Sequence, residues 1–194
     1  MAADTVSQKE YLSTFHEVNN QLWHLYNQGE IDREYIKIKR FAEIFEKIGV
    51  DTTHSAYASS YFLHHCSTKP YLIDDALTTL QYLHEKYQLH IITNGFTDSQ
   101  NNKLVHSGIA DFFEVMVTSE STGAKKPSPE IFHHSMQEAK AEASNSAMIG
   151  DNPRTDIAGA KEVGMSSILY DPTGNKRSMA DVSIQSLIEL IKLF

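Results

Sequence analysis

The segment 148–156 carries two carboxylates, Asp151 and Asp156, where an apolar run gives way to a polar turn. Asn152 suits the N-cap of a following helix and Pro153 its first position, so Asp156 falls in the first helical turn. Mg2+ prefers oxygen ligands and is held by one or two carboxylates together with water. The spacing therefore predicts that one of the two carboxylates binds Mg2+ directly and the other directly or through water. The alternative is that Asp151 only forms a turn and Asp156 only complements the helix dipole.

A second polar group follows the apolar run 89–92, where Thr93 is succeeded by Asn94 and Gly95. The Thr93 hydroxyl can donate to a phosphate oxygen, with the backbone amides of Asn94 and Gly95 beside it, and glycine lets the backbone approach closely. These three residues are therefore candidates for phosphate binding. The alternative is that a threonine simply ends a strand.

A third signal is the basic pair Lys125 and Lys126, which precedes Pro127 and a helical segment. A lysine here can neutralise phosphate charge and keep an acidic nucleophile ionised. The residue before a proline is held extended, which favours Lys126 over Lys125 for this role. The alternative is a solvated surface lysine.

The overall composition excludes several classes of protein. The chain has 194 residues, 41% of them hydrophobic, and a net charge of -8, which argues against a general nucleic-acid-binding surface. No apolar run is long enough for a membrane span, and the first residues do not resemble a signal peptide. The single cysteine, Cys66, fits a reducing compartment. We therefore expect a cytoplasmic protein that acts on a small ligand, with neither nucleic acid nor a membrane as its partner.

The hydrophobic pattern changes near residue 68. Apolar residues before it recur at helical spacing, which predicts helices over residues 6–27, 32–47 and 54–66. After it, helical and strand patterns alternate with short connections, which is typical of a parallel sheet covered on both faces. Thr97 and Gln100 have the spacing of a capping box at the start of the second helix of this part. The predicted helices here cover residues 73–87, 98–107, 129–141, 153–163 and 182–193, and the strands residues 89–93, 114–118, 146–149 and 166–170.

The three signals follow one another along the chain as Thr93, Lys126 and the Asp151/Asp156 pair. At this point the chain resembles the haloacid dehalogenase-like (HAD) hydrolase superfamily, whose second, third and fourth motifs they match. The resemblance implies an α/β fold with a HAD-like Rossmannoid parallel sheet and an N-terminal helical cap. It assigns residues 1–67 to the cap and residues 68–194 to the core.

The cap segment 20–31, followed by Arg40 and Phe41, resembles the branch of noncanonical pyrimidine nucleotidases. The resemblance implies a phosphatase that uses Mg2+ and acts on small phosphorylated substrates such as nucleoside monophosphates. Thr93, Asn94, Gly95 and Lys126 would then bind the phosphate. A haloacid dehalogenase fits less well, because it needs no metal and would leave the aspartate pair without a role.

The first motif of the family, an apolar strand ending in Asp-x-Asp-x-Thr, has no match in this chain. The segment 1–5 contains only Asp4, and Asp74 with Asp75 open a helix instead. By resemblance, the first Asp of that motif attacks phosphorus to form an aspartyl-phosphate, and its strand lies between those that end at Thr93 and near Asp151. We therefore expect a rearranged sheet, a strand supplied by another molecule, or a chain that is poorly stable alone. We also expect a shortened form of a phosphatase rather than a natural inactive one. The alternative is a non-catalytic protein that binds phosphorylated ligands or acts as a scaffold.

Turnover of a phosphomonoester by the 194-residue chain can be measured directly. We expect no phosphatase activity with Mg2+, because loss of one member of a catalytic constellation costs about 10^4 to 10^6 in rate. The measurement is phosphate release by a purified preparation. Release that Asp151→Ala abolishes would contradict the prediction.

Overall fold

The computed structural model describes residues 6–194, and the chain divides between Ser67 and Thr68 into two compact units. The segment around Asp4, compared above with the missing motif, lies outside the described residues. No described helix is both long enough and apolar enough to cross a membrane. The assignment of the first unit as a cap stays a prediction.

The first unit contains the three predicted helices. Asp32 begins the second by accepting a hydrogen bond from the Tyr35 amide at 2.8 Å, and Gly29 ends the first in the left-handed region at φ 79°. The helices are α1 (Gln8–Gln28), α2 (Arg33–Lys47) and α3 (Ser55–Ser67). The helical period places one set of apolar side chains on the buried side of α1 and α2, namely Val18, Leu22, Tyr26, Ile36, Phe41 and Ile44.

Arg40 of α2 is an unusual member of the core of the first unit. Its side chain is buried, and its guanidinium lies 5.1 Å from the centre of the Phe62 ring. Burial lowers the pKa of Arg40, since removing a charge from water disfavours it. Its Nε has no hydrogen-bond partner among the described residues, and the contact with the Phe62 ring offsets part of the cost of burying the charge.

The second unit alternates helices with strands as predicted. Its helices are α4 (Ala76–His84), α5 (Thr97–His106), α6 (Ser119–Thr122), α7 (Pro129–Ala139), α8 (Ala158–Glu162) and α9 (Leu190–Leu193). Its strands are β1 (His90–Thr93), β2 (Val115–Thr118), β3 (Ala147–Gly150), β4 (Ser166–Tyr170) and β5 (Val182–Ile184).

All strand pairs in the second unit are parallel, which confirms the predicted α/β class. The strands form two sheets, β1-β2 and β3-β4-β5, and none of the strands in residues 6–194 joins β1 to β3. The two sheets share one core cluster, in which Val117 of β2 and Met148 of β3 pack with α7 and α8. They therefore belong to one layered body, in which β1 and β3 each have one edge without a described strand.

Two local predictions were wrong. The predicted last helix over residues 182–193 begins as β5, because Val182 pairs with Ile168 and Ile184 with Tyr170 in an apolar alternation. Helix α5 has no side-chain cap: Thr97 is its first residue, and its hydroxyl bonds the Thr118 hydroxyl at 2.8 Å. In both cases a contact with a neighbouring element prevails over the local pattern.

The contact between α7 and α8 depends on Gly159. A Cβ at this position would collide with the buried Phe132 ring and lie 2.8 Å from the Pro127 carbonyl oxygen. The missing side chain therefore allows α8 to approach α7 and the segment that leads into it.

We expect Gly159→Ala to destabilise the protein by about 1–3 kcal/mol, because the core is already filled at this contact. The free energy of unfolding from urea titrations is the measurement. Lys161→Met, on the exposed side of the same helix, is the control and should change it by less than about 1 kcal/mol. Equal stability of the Gly159 variant and the unsubstituted chain would show that α7 and α8 can accommodate a methyl group at this contact.

Candidate functional site

The turn after β3 takes its shape from the side chain of Asp156. One carboxylate oxygen of Asp156 accepts the Asn152 amide at 3.0 Å, and the other accepts the Thr155 hydroxyl at 3.1 Å. The predicted caps are confirmed: Asn152 accepts the Arg154 amide, and Pro153 begins a π-helical turn, Pro153–Ile157. Gly150 is required here, because a Cβ would collide with the Asp156 carboxylate.

Lys126 reaches this turn from the loop before α7. Its ammonium lies 2.8 Å from the Asp156 carboxylate, in a pair whose side chains are only 10% and 7% exposed. It also donates to the carbonyl oxygen of Ile92 in β1 at 2.7 Å. The carbonyl of Leu89 accepts from Glu114, beside β2, and since carbonyls of a strand alternate in direction, that of Ile92 points to the other edge of β1. Lys126 thus satisfies a backbone acceptor at an edge that has no described strand.

Asn94 fixes the backbone of Lys126. Its side-chain amide donates to the Lys126 carbonyl at 2.9 Å, and its side-chain oxygen accepts the Lys126 amide at 2.8 Å. The sequence pattern indicates a role for the backbone amide of Asn94 and none for its side chain. This pair joins residues 32 positions apart and leaves no trace in local spacing.

Thr93 and Gly95 form the end of β1. The Thr93 hydroxyl oxygen accepts the Gly95 amide at 2.9 Å, so its hydrogen remains available for a further acceptor. Both residues are half-buried. The structure therefore brings Thr93, Asn94, Gly95, Lys126 and Asp156 together through contacts at the carboxyl ends of β1 and β3.

Asp151 is held through its main chain. Its carbonyl oxygen accepts the ammonium of Lys176 at 2.6 Å, and its carboxylate accepts no hydrogen bond from residues 6–194. The residue is exposed. Lys176 is a member of the site that the sequence analysis missed, because the loop after β4 carries no motif.

The donor set can be compared with the needs of Mg2+. In the part of the chain that the structure describes, no three His, Cys, Asp or Glu side chains form a group that would hold a metal ion. Mg2+ requires less, since it is bound by one or two carboxylates, with water and phosphate oxygens for the rest. Asp151, which is exposed and unengaged, fits this role. The oxygens of Asp156 are already bonded to Lys126, Thr155 and Asn152, so its contact with a metal stays a prediction.

Comparison with known proteins identifies the family. The model of the haloacid dehalogenase-like hydrolases matches residues 6–170. The chain therefore belongs to the haloacid dehalogenase-like hydrolase family, as its motifs predicted.

The chain is similar to several known proteins. The HAD-hydrolase YfnB of Bacillus subtilis is 28% identical over 80% of this chain, which spans 66% of YfnB. The pyrimidine 5'-nucleotidase YjjG of Escherichia coli is 28% identical, over 81% of this chain and 69% of YjjG. The ribulose-1,5-bisphosphate 5-phosphatase of Halopiger xanaduensis is 35% identical, over 63% of this chain and 56% of the enzyme. The chain thus spans between half and seven tenths of these relatives.

Solved structures show the same fold. A magnesium-bound structure of YfnB from Bacillus subtilis superposes with a TM-score of 0.86 and 24% identity, covering 96% of this chain and 83% of YfnB. A HAD phosphatase from Thermococcus onnurineus gives a TM-score of 0.65 and 26% identity, over 94% of this chain and 87% of that one.

We expect Asp156→Asn to destabilise the second unit by about 3–5 kcal/mol, because it leaves the Lys126 ammonium buried without an anionic partner. Urea unfolding followed by circular dichroism measures the change. Lys161→Met, which removes the exposed Lys161–Asp181 pair, should cost less than about 1 kcal/mol. Similar losses in the two variants would mean that the buried pair contributes no more than an exposed one.

Proposed function

We propose that the site belongs to a Mg2+-dependent phosphomonoester hydrolase, with pyrimidine nucleoside 5'-monophosphates as the first candidate substrates. The observation that carries the proposal is the position of Lys126, held between the carbonyl of Ile92 and the carboxylate of Asp156 at the carboxyl ends of two parallel strands. Ligands of open parallel sheets bind at that edge. The Escherichia coli relative named as a pyrimidine 5'-nucleotidase supports the choice of substrate. A cytoplasmic location, inferred from Cys66, is part of the proposal.

In this proposal the phosphate is bound by Thr93, Lys126 and the backbone amides of Asn94 and Gly95. An ammonium has three N–H donors, and Lys126 uses two on Ile92 and Asp156, which leaves one for a phosphate oxygen. The Thr93 hydroxyl supplies a second donor. Asn94 keeps Lys126 in place, so that its charge is oriented before the substrate arrives.

The metal would be held by Asp151, with Asp156 directly or through water. When bound, Mg2+ neutralises phosphate charge and orients the reacting group. The buried Lys126–Asp156 pair fixes the turn that presents Asp151. The first unit would act as the cap over the core.

The attacking carboxylate is proposed to enter on a strand between β1 and β3. Each of these strands has one edge that no described strand pairs with. Unpaired edges accept an added strand through main-chain hydrogen bonds. A carboxylate at the end of such a strand would lie near the ammonium of Lys126, which would keep it ionised.

The test supplies that strand as a synthetic peptide of about five apolar residues followed by Asp-x-Asp-x-Thr. We expect Mg2+-dependent phosphate release from CMP when the peptide is present and none when it is absent. A peptide with Asn in place of its first Asp is the matched control. Lys126→Met should lower the complemented rate about 10^2 to 10^3-fold, since it removes a preorganised charge.

A peptide that binds, as measured by calorimetry, without restoring release would contradict the catalytic proposal. CMP binding that persists in that case would indicate the alternative, a non-catalytic protein that binds phosphorylated ligands.

A further inference from the structure

The loop after β4 is held in a defined shape by Asp171. This buried carboxylate accepts the Lys176 amide at 2.6 Å, the Thr173 hydroxyl at 2.7 Å and the Thr173 amide at 3.2 Å. The hydrogen bond from the Lys176 amide is the main reason why the pKa of Asp171 is lowered. The backbone of Lys176 is thus fixed, although its side chain is exposed.

Lys176 and Asp156 both form hydrogen bonds with the peptide group that joins Asp151 to Asn152. The ammonium of Lys176 donates to the Asp151 carbonyl, and the Asp156 carboxylate accepts the Asn152 amide of the same peptide bond. Asp156 is in turn paired with Lys126. Two lysines therefore flank the turn that carries Asp151, and they are linked through one continuous set of hydrogen bonds.

The charged side chains that the sequence predicts for the site do not by themselves attract an anion. Asp151 and Asp156 outnumber Lys126, so these three residues carry one net negative charge, and the ion pair with Asp156 compensates the charge of Lys126. The whole chain has a net charge of -8. A bound Mg2+ would bring these residues to one net positive charge, whereas a phosphate dianion carries two negative charges, so one further positive charge would complete the balance.

Lys176 supplies such a charge. It forms no ion pair with a carboxylate of residues 6–194, although its charge helps to lower the pKa of Asp171. It uses one of its three N–H donors on Asp151, which leaves two for a ligand. Its neighbour Arg177 is also exposed and adds a second positive charge to the loop.

We propose that Lys176, held by the Asp171 loop, is a further phosphate-binding residue of this site and recruits the anionic group of the substrate. The inference rests on the proposed function, because it assumes that the phosphate binds at the edge formed by Thr93, Lys126 and Asp151. It adds a cation from outside the three sequence motifs.

The test measures CMP binding to the full chain by calorimetry in Mg2+ buffer, with cytidine as the uncharged comparison. We expect Lys176→Met to weaken CMP binding about tenfold, since an ion pair at a partly exposed site contributes on that order. Lys176→Arg should bind CMP within about twofold of the unsubstituted chain, because it keeps the charge. Cytidine affinity should be equal in all variants.

The salt dependence of CMP binding distinguishes an electrostatic role of Lys176 from a merely structural one. The affinity for CMP should fall less steeply with salt in Lys176→Met than in the unsubstituted chain, because one screened attraction is gone. Lys161→Met, which removes a lysine elsewhere in the same unit, should leave both affinity and salt dependence unchanged.

The outcomes distinguish the inference from the function on which it rests. Tight CMP binding that Lys176→Met leaves unaltered overturns the role of Lys176 and leaves the proposed function standing. Absence of CMP binding by the unsubstituted chain, with Mg2+ present, overturns both.

Discussion

The ammonium group of Lys126 is buried where the carboxyl ends of β1 and β3 come together, and the arrangement of the site depends on it. It bonds a strand carbonyl on one side and the Asp156 carboxylate on the other. Burying a cation is costly unless it is paired and hydrogen-bonded, so loss of either partner of Lys126 would be strongly unfavourable. Lys126 therefore connects two sheets that share no strand pairing among residues 6–194.

Further contacts extend from this centre. Asn94 fixes the backbone of Lys126, and Asp156 fixes the turn that presents Asp151. Lys176 holds the same turn from its other side. Because these contacts share partners, substitutions within the set should not act independently. The site is thus a connected polar network on a rigid layer of strands and helices, which is the condition for preorganised electrostatics.

The open edges of β1 and β3 connect the fold with the proposed chemistry. An unpaired strand edge exposes N–H and C=O groups that can pair with another strand. The edges of β1 and β3 lie beside the Lys126 ammonium, which a reacting carboxylate and a phosphate would both need. The same place in the fold therefore concerns both the stability of the second unit and its proposed activity. Membership in the haloacid dehalogenase-like hydrolase family supports hydrolysis as the class of the proposed reaction.

The sequence by itself determined the order of the longer helices and of strands β1 to β4, the caps at Asn152 and Pro153, and the family, because these depend on local periodicity and on short motifs. It did not determine β5, where pairing with β4 prevailed over a helical pattern. Nor did it reveal the side-chain clamp of Asn94 or the contact of Lys176 with Asp151. Those contacts join residues 32 and 25 positions apart, so only the tertiary structure, which brings strand ends together, decided them.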